Sequence, residues 1–311
     1  GLVKFPGTTR NLQGSVPSYT TAPVSEWLGS HVYAALGIPV HETVLGIRDG
    51  RIVCACRDFT FPDSRLVNFH DLKNSLSDDE PGFTEDASTG SGVVLADVRS
   101  AIHRIPVLRS IDGVSDRFWD MFVVDAFIRN IDRNNTNWGV LRNPRGEFSL
   151  APVYDNGNSF NNKRTDSGIE RRLANPDLIR QDALDVRSCY VTDRGKPIAP
   201  LKYLASGQDE ECTKALDRFM ERYDPRSFHD LLGSIPSMSH GLTVVPDGFH
   251  EYHRRVCDYR YEHAFMEAWR DLHPTVGVPS SPEASVPEPL PDPDPSVLPS
   301  SSVPTCFDGP G

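Results

Sequence analysis

No apolar run in this 311-residue sequence approaches the roughly 18 residues that a membrane-spanning helix needs. A spanning helix, and with it a membrane partner, is not expected in the visible chain. Excess positive charge is missing too: 32 Lys and Arg stand against 43 Asp and Glu, a formal net charge of −11. Broad binding to nucleic acid needs a basic face, so direct nucleic-acid binding is not expected. Cysteine is sparse. Cys54, Cys56, Cys189, Cys212, Cys257 and Cys306 are scattered and form no metal-ligand spacing. They read as reduced core thiols of a reducing compartment, and a cytoplasmic location follows as the expectation. The sequon Asn134-Asn135-Thr136 is then a chance match.

What is present is ordinary globular material, 38% hydrophobic and 24% charged, enough for one large domain or two smaller ones. The exception is the end of the chain. From His273 onward Pro, Ser, Glu and Asp dominate, as in Pro287-Glu288-Pro289-Leu290-Pro291-Asp292-Pro293. Such a segment lacks the apolar surface to offset its ordering entropy, so 273–311 reads as a disordered tail.

The stretch around which the rest is organised runs from Phe127 to Val140, with Tyr154-Asp155 following. Asp132, the carboxamide of Asn137 and the carboxylate of Asp155 are the ingredients of a phosphoryl-transfer site. The first accepts the proton of the attacking hydroxyl, and the other two hold Mg²⁺ on ATP. Upstream, Phe118 to Ile128 is apolar nearly all round and reads as a buried helix that supports Asp132. Downstream, Leu141–Asn143 and Glu147–Leu150, joined by Asn143-Pro144-Arg145-Gly146, read as a hairpin that returns Asp155 towards Asn137. A run of Asn and Asp also favours loops for purely local reasons. The later Asp155 is what sets this stretch apart from a bland turn.

Asn130-x-Asp132-x-Asn134-x-x-Asn137 resembles the N-x-D-x-H-x-x-N loop of HipA-like serine/threonine kinases, and Tyr154-Asp155 resembles their metal-binding Y-D. Asn134 stands where that family usually has His; both side chains can donate a hydrogen bond. The helix Ser25–Gly37, continued by Gly37-Ile38-Pro39-Val40, is similar to a helix of the same kinases. The resemblance implies that Lys4 contacts the ATP phosphates, that Glu26 pairs with Lys4, and that Arg57-Asp58-Phe59 is the hinge receiving adenine. Asp58, Phe59, Asn134 and Tyr154 join Lys4 and Glu26 as nucleotide-site candidates. Asp132 is the catalytic candidate, and Asn137 and Asp155 are the metal candidates. The likeness is to the family's compact, stand-alone branch. It implies a protein substrate with a Ser or Thr hydroxyl and raises an antitoxin-type partner.

The expected fold is α+β and bilobal, protein-kinase-like: a small antiparallel-β N-lobe over 1–61, a mostly helical C-lobe over 62–272, then the tail. Lys4's strand, His41–Gly46 and Arg51–Cys56 form the small sheet, the last two joined by an Asp49-Gly50 turn. Phe69–Gly92 reads as a surface loop, and 93–105, 115–131, 210–223, 227–233 and 249–272 as helices. The basic, hydroxyl-rich stretch 159–207 takes the place of an activation segment, with autophosphorylation expected at Ser159, Thr165 or Ser167. Only three residues precede Lys4. The N-terminus therefore reads as truncated inside its first sheet, without the glycine-rich loop that covers ATP phosphates. Two other readings share these residues: an ATP-binding pseudokinase acting by shape, and a small-molecule kinase of the same fold. A phosphotransfer assay separates the first, and a substrate screen the second.

Overall fold

The computed structural model describes residues 1–6, 21–77 and 92–274. The tail from 275 on, and residues 78–91 of the expected loop, lie outside the described residues. The first sheet holds β1 (Leu2–Lys4), β2 (Thr43–Arg48) and β3 (Arg51–Cys56) in the antiparallel order β1-β3-β2. Its hairpin turns at Asp49 and Gly50, with φ of 51° and 66°, the left-handed pair that a two-residue turn demands. Register sets Lys4 opposite Cys54. Helix α1 (Ala22–Ala35) starts with Pro23 in its first turn and packs on β2 and β3. Val24, Leu28 and Val32 share one face, and Glu26 is buried on another, so the helix is enclosed nearly all round.

The chain continues through β4 (Arg65–Asn68), α2 (Phe69–Ser77), β5 (Val93–Val94), α3 (Leu95–Arg104), α4 (Pro106–Arg109) and α5 (Val114–Ile128). Strands β6 (Gly139–Arg142) and β7 (Phe148–Leu150) then form the expected hairpin. In α5, eleven of fifteen residues are buried, which explains why its sequence is apolar nearly all round. The reading of 69–92 as a surface loop is corrected: Phe69–Ser77 is helical, and β4 adds a third strand to β6–β7. Tertiary packing overrides the polar composition here. Phe69 is fully buried and stacks on Trp138 at 4.1 Å, and the Phe69 and His70 N–H groups donate to Trp138 O and Asn135 O.

After Asp155 come α6 (Asp166–Leu173), α7 (Pro176–Leu184), β8 (Tyr190–Val191), α8 (Pro200–Ser206), α9 (Glu210–Arg222) and α10 (Pro225–Gly233). Strands β9 (Met238–Ser239) and β10 (Leu242–Thr243) precede α11 (Phe249–Arg260), which runs through a wider π-type stretch at Tyr261–Met266 into α12 (Glu267–Leu272). The basic stretch 159–207 therefore carries three helices, α6, α7 and α8. Thr165 caps α6 by accepting from Gly168 N–H at 3.1 Å. Asn175 caps α7 from Asp177 N–H at 3.0 Å, with Pro176 as its first residue. No helix among the described residues is long and apolar enough to cross a membrane.

The close approach of β4 to β6 is a feature that a single methyl group tests. A Cβ at Gly139 would lie 2.2 Å from Val67 O, whereas one at Gly46 would meet nothing within 4 Å. Gly139→Ala is expected to destabilise the protein by about 2 kcal/mol or more, and Gly46→Ala by no more than about 0.5 kcal/mol. Urea unfolding of both variants checks this. Equal midpoints would contradict the pairing.

Candidate active site

The site is built on a buried charge pair at the end of α5. Asp125 accepts from the Tyr33 hydroxyl at 2.8 Å, from Asn130 Nδ2 at 3.1 Å and from Arg133 Nε at 2.9 Å. Arg133, 1% exposed, spends its remaining donors on two segments at once. Its Nη1 donates to Asn137 O at 2.9 Å and to Tyr154 O, and its Nη2 donates to Asn156 Oδ1 at 2.6 Å. Burial alone would lower the guanidinium, but the facing Asp125 holds it charged, well above the ordinary arginine range. One side chain thereby fixes the 130–137 loop against 154–156.

Asp132, half-buried, is held at both oxygens. Oδ1 accepts from Asn134 Nδ2 at 2.9 Å, and Oδ2 accepts from Asn158 Nδ2 at 2.8 Å. Asn134 is oriented for this by its own oxygen, which takes the Thr136 N–H at 2.9 Å and hydroxyl at 2.6 Å. Expected among the nucleotide contacts, Asn134 instead aims its amide at Asp132, in the place where the family carries His. Asn137 turns its Nδ2 onto Asp132 O at 2.6 Å. Its carboxamide oxygen is left with only the Thr136 hydroxyl, at 3.3 Å.

Asp155 lies in the left-handed region at φ 61°, and its side chain is 42% exposed. Lys4 Nζ donates to Asp155 Oδ1 at 2.5 Å and to Glu26 Oε2 at 2.7 Å. The other Glu26 oxygen faces His41 Nε2 at 2.8 Å. Burial pushes the Glu26 carboxyl up, but the His41 bond and the Lys4 charge outweigh it and leave Glu26 at about 2. Burial likewise opposes the Lys4 ammonium, and its two carboxylates still raise it above the ordinary lysine value. Glu26, His41 and Cys56 also come within 4.8 Å of one another, all buried. In that trio the two Glu26 oxygens already face Lys4 and His41.

The structure brings Lys4, Glu26 and Asp155 together, and Arg133 ties the loop that carries Asp132 and Asn137 to Tyr154, the neighbour of Asp155. Phe59 and Tyr154 form an aromatic wall, ring centroids 5.6 Å apart, with the Tyr154 hydroxyl 3.0 Å from Thr136 O. Asp58 is different: its carboxylate caps a local exposed turn, accepting from Thr60 N–H at 2.9 Å and from the Thr60 hydroxyl at 2.6 Å. Ser159 is corrected as an autophosphorylation candidate. It is fully buried, and its hydroxyl donates to Asn156 O at 2.6 Å. Thr165 is tied up as the α6 cap, whereas Ser167 is exposed. Sequence reasoning missed Asp125, Arg133, His41, Asn156 and Asn158. The available signal was Arg133 itself, a cation inside the motif and one residue from Asp132.

No protein-family model matches the sequence. The serine/threonine-protein kinase CtkA of Helicobacter pylori is 33% identical over 240 residues, 76% of this chain and 71% of that protein. The crystal structure of the H. pylori proinflammatory kinase CtkA aligns with a TM-score of 0.75 at 29% identity, covering 88% of this chain and 91% of the other. The HipA–HipB–operator DNA complex of Shewanella oneidensis aligns at 0.45 with 12% identity. Identity to CtkA at this level and over this length shows that the chain belongs to the HipA-like family of serine/threonine kinases.

Proposed function

We propose that this kinase transfers the γ-phosphate of ATP, with Mg²⁺, to a serine or threonine hydroxyl of a protein. The observation that carries the proposal is Lys4 Nζ, bonded at once to Glu26 on α1 and to Asp155, 151 residues away. That pair of bonds sets one cation beside the exposed carboxylate, and Arg133 holds the Asn137 loop against the same segment. A carboxylate oxygen and a carboxamide oxygen are hard donors of the kind that suit Mg²⁺. When bound, the metal would neutralise charge on the phosphate oxygens. Lys4 would add its own charge there, and Phe59 with Tyr154 would cover adenine. Asp132, fixed by Asn134 and Asn158, would orient the attacking hydroxyl and accept its proton. Positioning and electrostatics are most of what in-line transfer needs. The nucleotide would sit between the sheet-bearing part over 1–61 and the helical part over 62–272. Five buried cysteines carrying free thiols support the cytoplasmic reading.

Asn137→Ala and Asp155→Ala are each expected to lower radiolabelled phosphate transfer from ATP to a Ser/Thr-containing protein by about 10³-fold or more, as EDTA should in the wild type. Lys4 keeps Glu26 in the Asp155 variant, so the unfolding midpoint of that variant should not fall. Activity within about tenfold of wild type, equivalent to ~1.4 kcal/mol, would overturn the assignment.

The Lys4–Glu26 pair can be read from pH. Glu26 is depressed in the folded state, so its contribution is fully present above the unfolded value of 4.5 and is lost as pH falls towards about 2. A shift of that size is about 3 kcal/mol at 1.36 kcal/mol per unit. The stability gap between wild type and Glu26→Gln should therefore be about constant from pH 8 to 5 and shrink steadily below 4.5. Urea midpoints across pH measure it, and a gap unchanged down to pH 3 would contradict the pair's role.

A further inference from the structure

Beside Asp132 lies a second cavity, of 240 Å³, lined by Arg129, Lys163, Arg164, Asn158, Asn161 and Asn162. No carboxylate lines it among the described residues. In a chain of net charge −11, three cations around one void oppose the overall sign. The volume is about eight times the ~30 Å³ that a water molecule occupies in the liquid, ample for an oxyanion. Asn158 joins the two places: it lines the cavity and donates to Asp132 Oδ2 at 2.8 Å.

The cations are poorly matched by the acids around them. Arg164 Nη2 reaches Asp182 Oδ1 at 2.7 Å, but Asp182 Oδ2 already takes Arg172 and the Tyr252 hydroxyl. One carboxylate thus serves two guanidiniums. Arg164 Nε is buried and has no hydrogen-bond partner among the described residues. Arg129 Nε reaches only Asp185 O, at 3.3 Å, while the Asp185 carboxylate faces Arg187 at 3.8 Å. Burial, and then the facing Arg164 charge, push Arg129 below the ordinary arginine range. Arg129 also takes φ 57° at the end of α5, where a left-handed residue is most often glycine. Lys163 is exposed and lies in no ion pair among the described residues.

We propose that this cavity receives an acidic group of the protein substrate, a carboxylate or phosphomonoester carried close in sequence to the Ser or Thr being phosphorylated. The inference rests on the phosphotransfer reading, in which Asp132 marks the place of the acceptor hydroxyl. Guanidinium groups match carboxylate and phosphate oxygens with paired donors, and the lysine adds a mobile point charge. Asn158 touches both the cavity and Asp132, and the length of one side chain is a span that about one to three extended residues cover at ~3.4 Å each. The acid should therefore lie within about three positions of the acceptor.

The test uses peptides with one acceptor Ser, flanked within three positions by Glu, phosphoserine, Gln or Lys. Wild type is expected to prefer Glu or phosphoserine over Gln by about tenfold in kcat/KM, chiefly through KM. The ratio of the two acidic arms tells which oxyanion is the natural one. Lys163→Glu, a change at an exposed residue, should cut the preference at least about fivefold, and Lys163→Arg should keep it. Fluorescence anisotropy with the acceptor Ser replaced by Ala measures binding without any transfer. No transfer, but acid-selective binding weakened in Lys163→Glu, would sink the phosphotransfer reading and leave the cavity's role standing. Transfer with no acid preference, in kinetics or in binding, would overturn the cavity's role alone. Neither transfer nor selective binding would overturn both.

Discussion

Everything in the site depends on a buried guanidinium. Burying Arg133 and Asp125 costs several kcal/mol per ion in lost hydration, and only a nearly complete set of partners offsets it. The structure supplies them: Asp125, the carbonyl oxygens of Asn137 and Tyr154, and the carboxamide of Asn156. Three of these four belong to the two segments that carry Asp132, Asn137 and Asp155. The same bonds that satisfy the buried charge therefore set the geometry of the chemistry. A lysine would bring a point charge without the planar fork that reaches both segments.

A second network, at the surface of the sheet, is tied to the first. Lys4 bridges Glu26 and Asp155, and Glu26 faces His41. Asn156 donates to Ser30 Oγ at 3.0 Å, and that hydroxyl lies 3.1 Å from His41 Nε2. The close contact needs Gly29, since a Cβ there would come 2.9 Å from Asn156 Cβ. Helix α1 is thus connected to residues 155 and 156 twice, through charge and through a hydrogen-bonded chain. A shift of α1 would move Glu26, the partner of Lys4, and the 155–156 segment together.

The kinase family was legible at Asp132, Asn137 and Asp155 because phosphoryl transfer needs particular functional groups in a set order. The turn at Asp49-Gly50 and helix α5 were legible for local reasons, positive φ and continuous apolarity. The burial of Arg133 was not. A cation among Asp and Asn reads as solvated until the fold brings Asp125 and Asn156 to it. Helix α2 and strand β4 were hidden because their stability comes from Trp138 and Gly139, about seventy residues on. Helices α6 and α7 left better traces, an Asn175-Pro176 start and a Thr165 cap, which the basic composition of the segment obscured. Ser159 was misplaced for a simpler reason: a hydroxyl in a polar stretch gives no hint that it packs under α1.

The central claim is that Arg133 couples the 130–137 loop to the 154–156 segment, and amide hydrogen exchange on Arg133→Lys tests it most directly. The account predicts that residues 132–137 and 153–157 lose protection together, while the β2–β3 hairpin exchanges as in the wild type. If only one of the two segments changed, or if both kept wild-type protection, Arg133 would not be the connection between them.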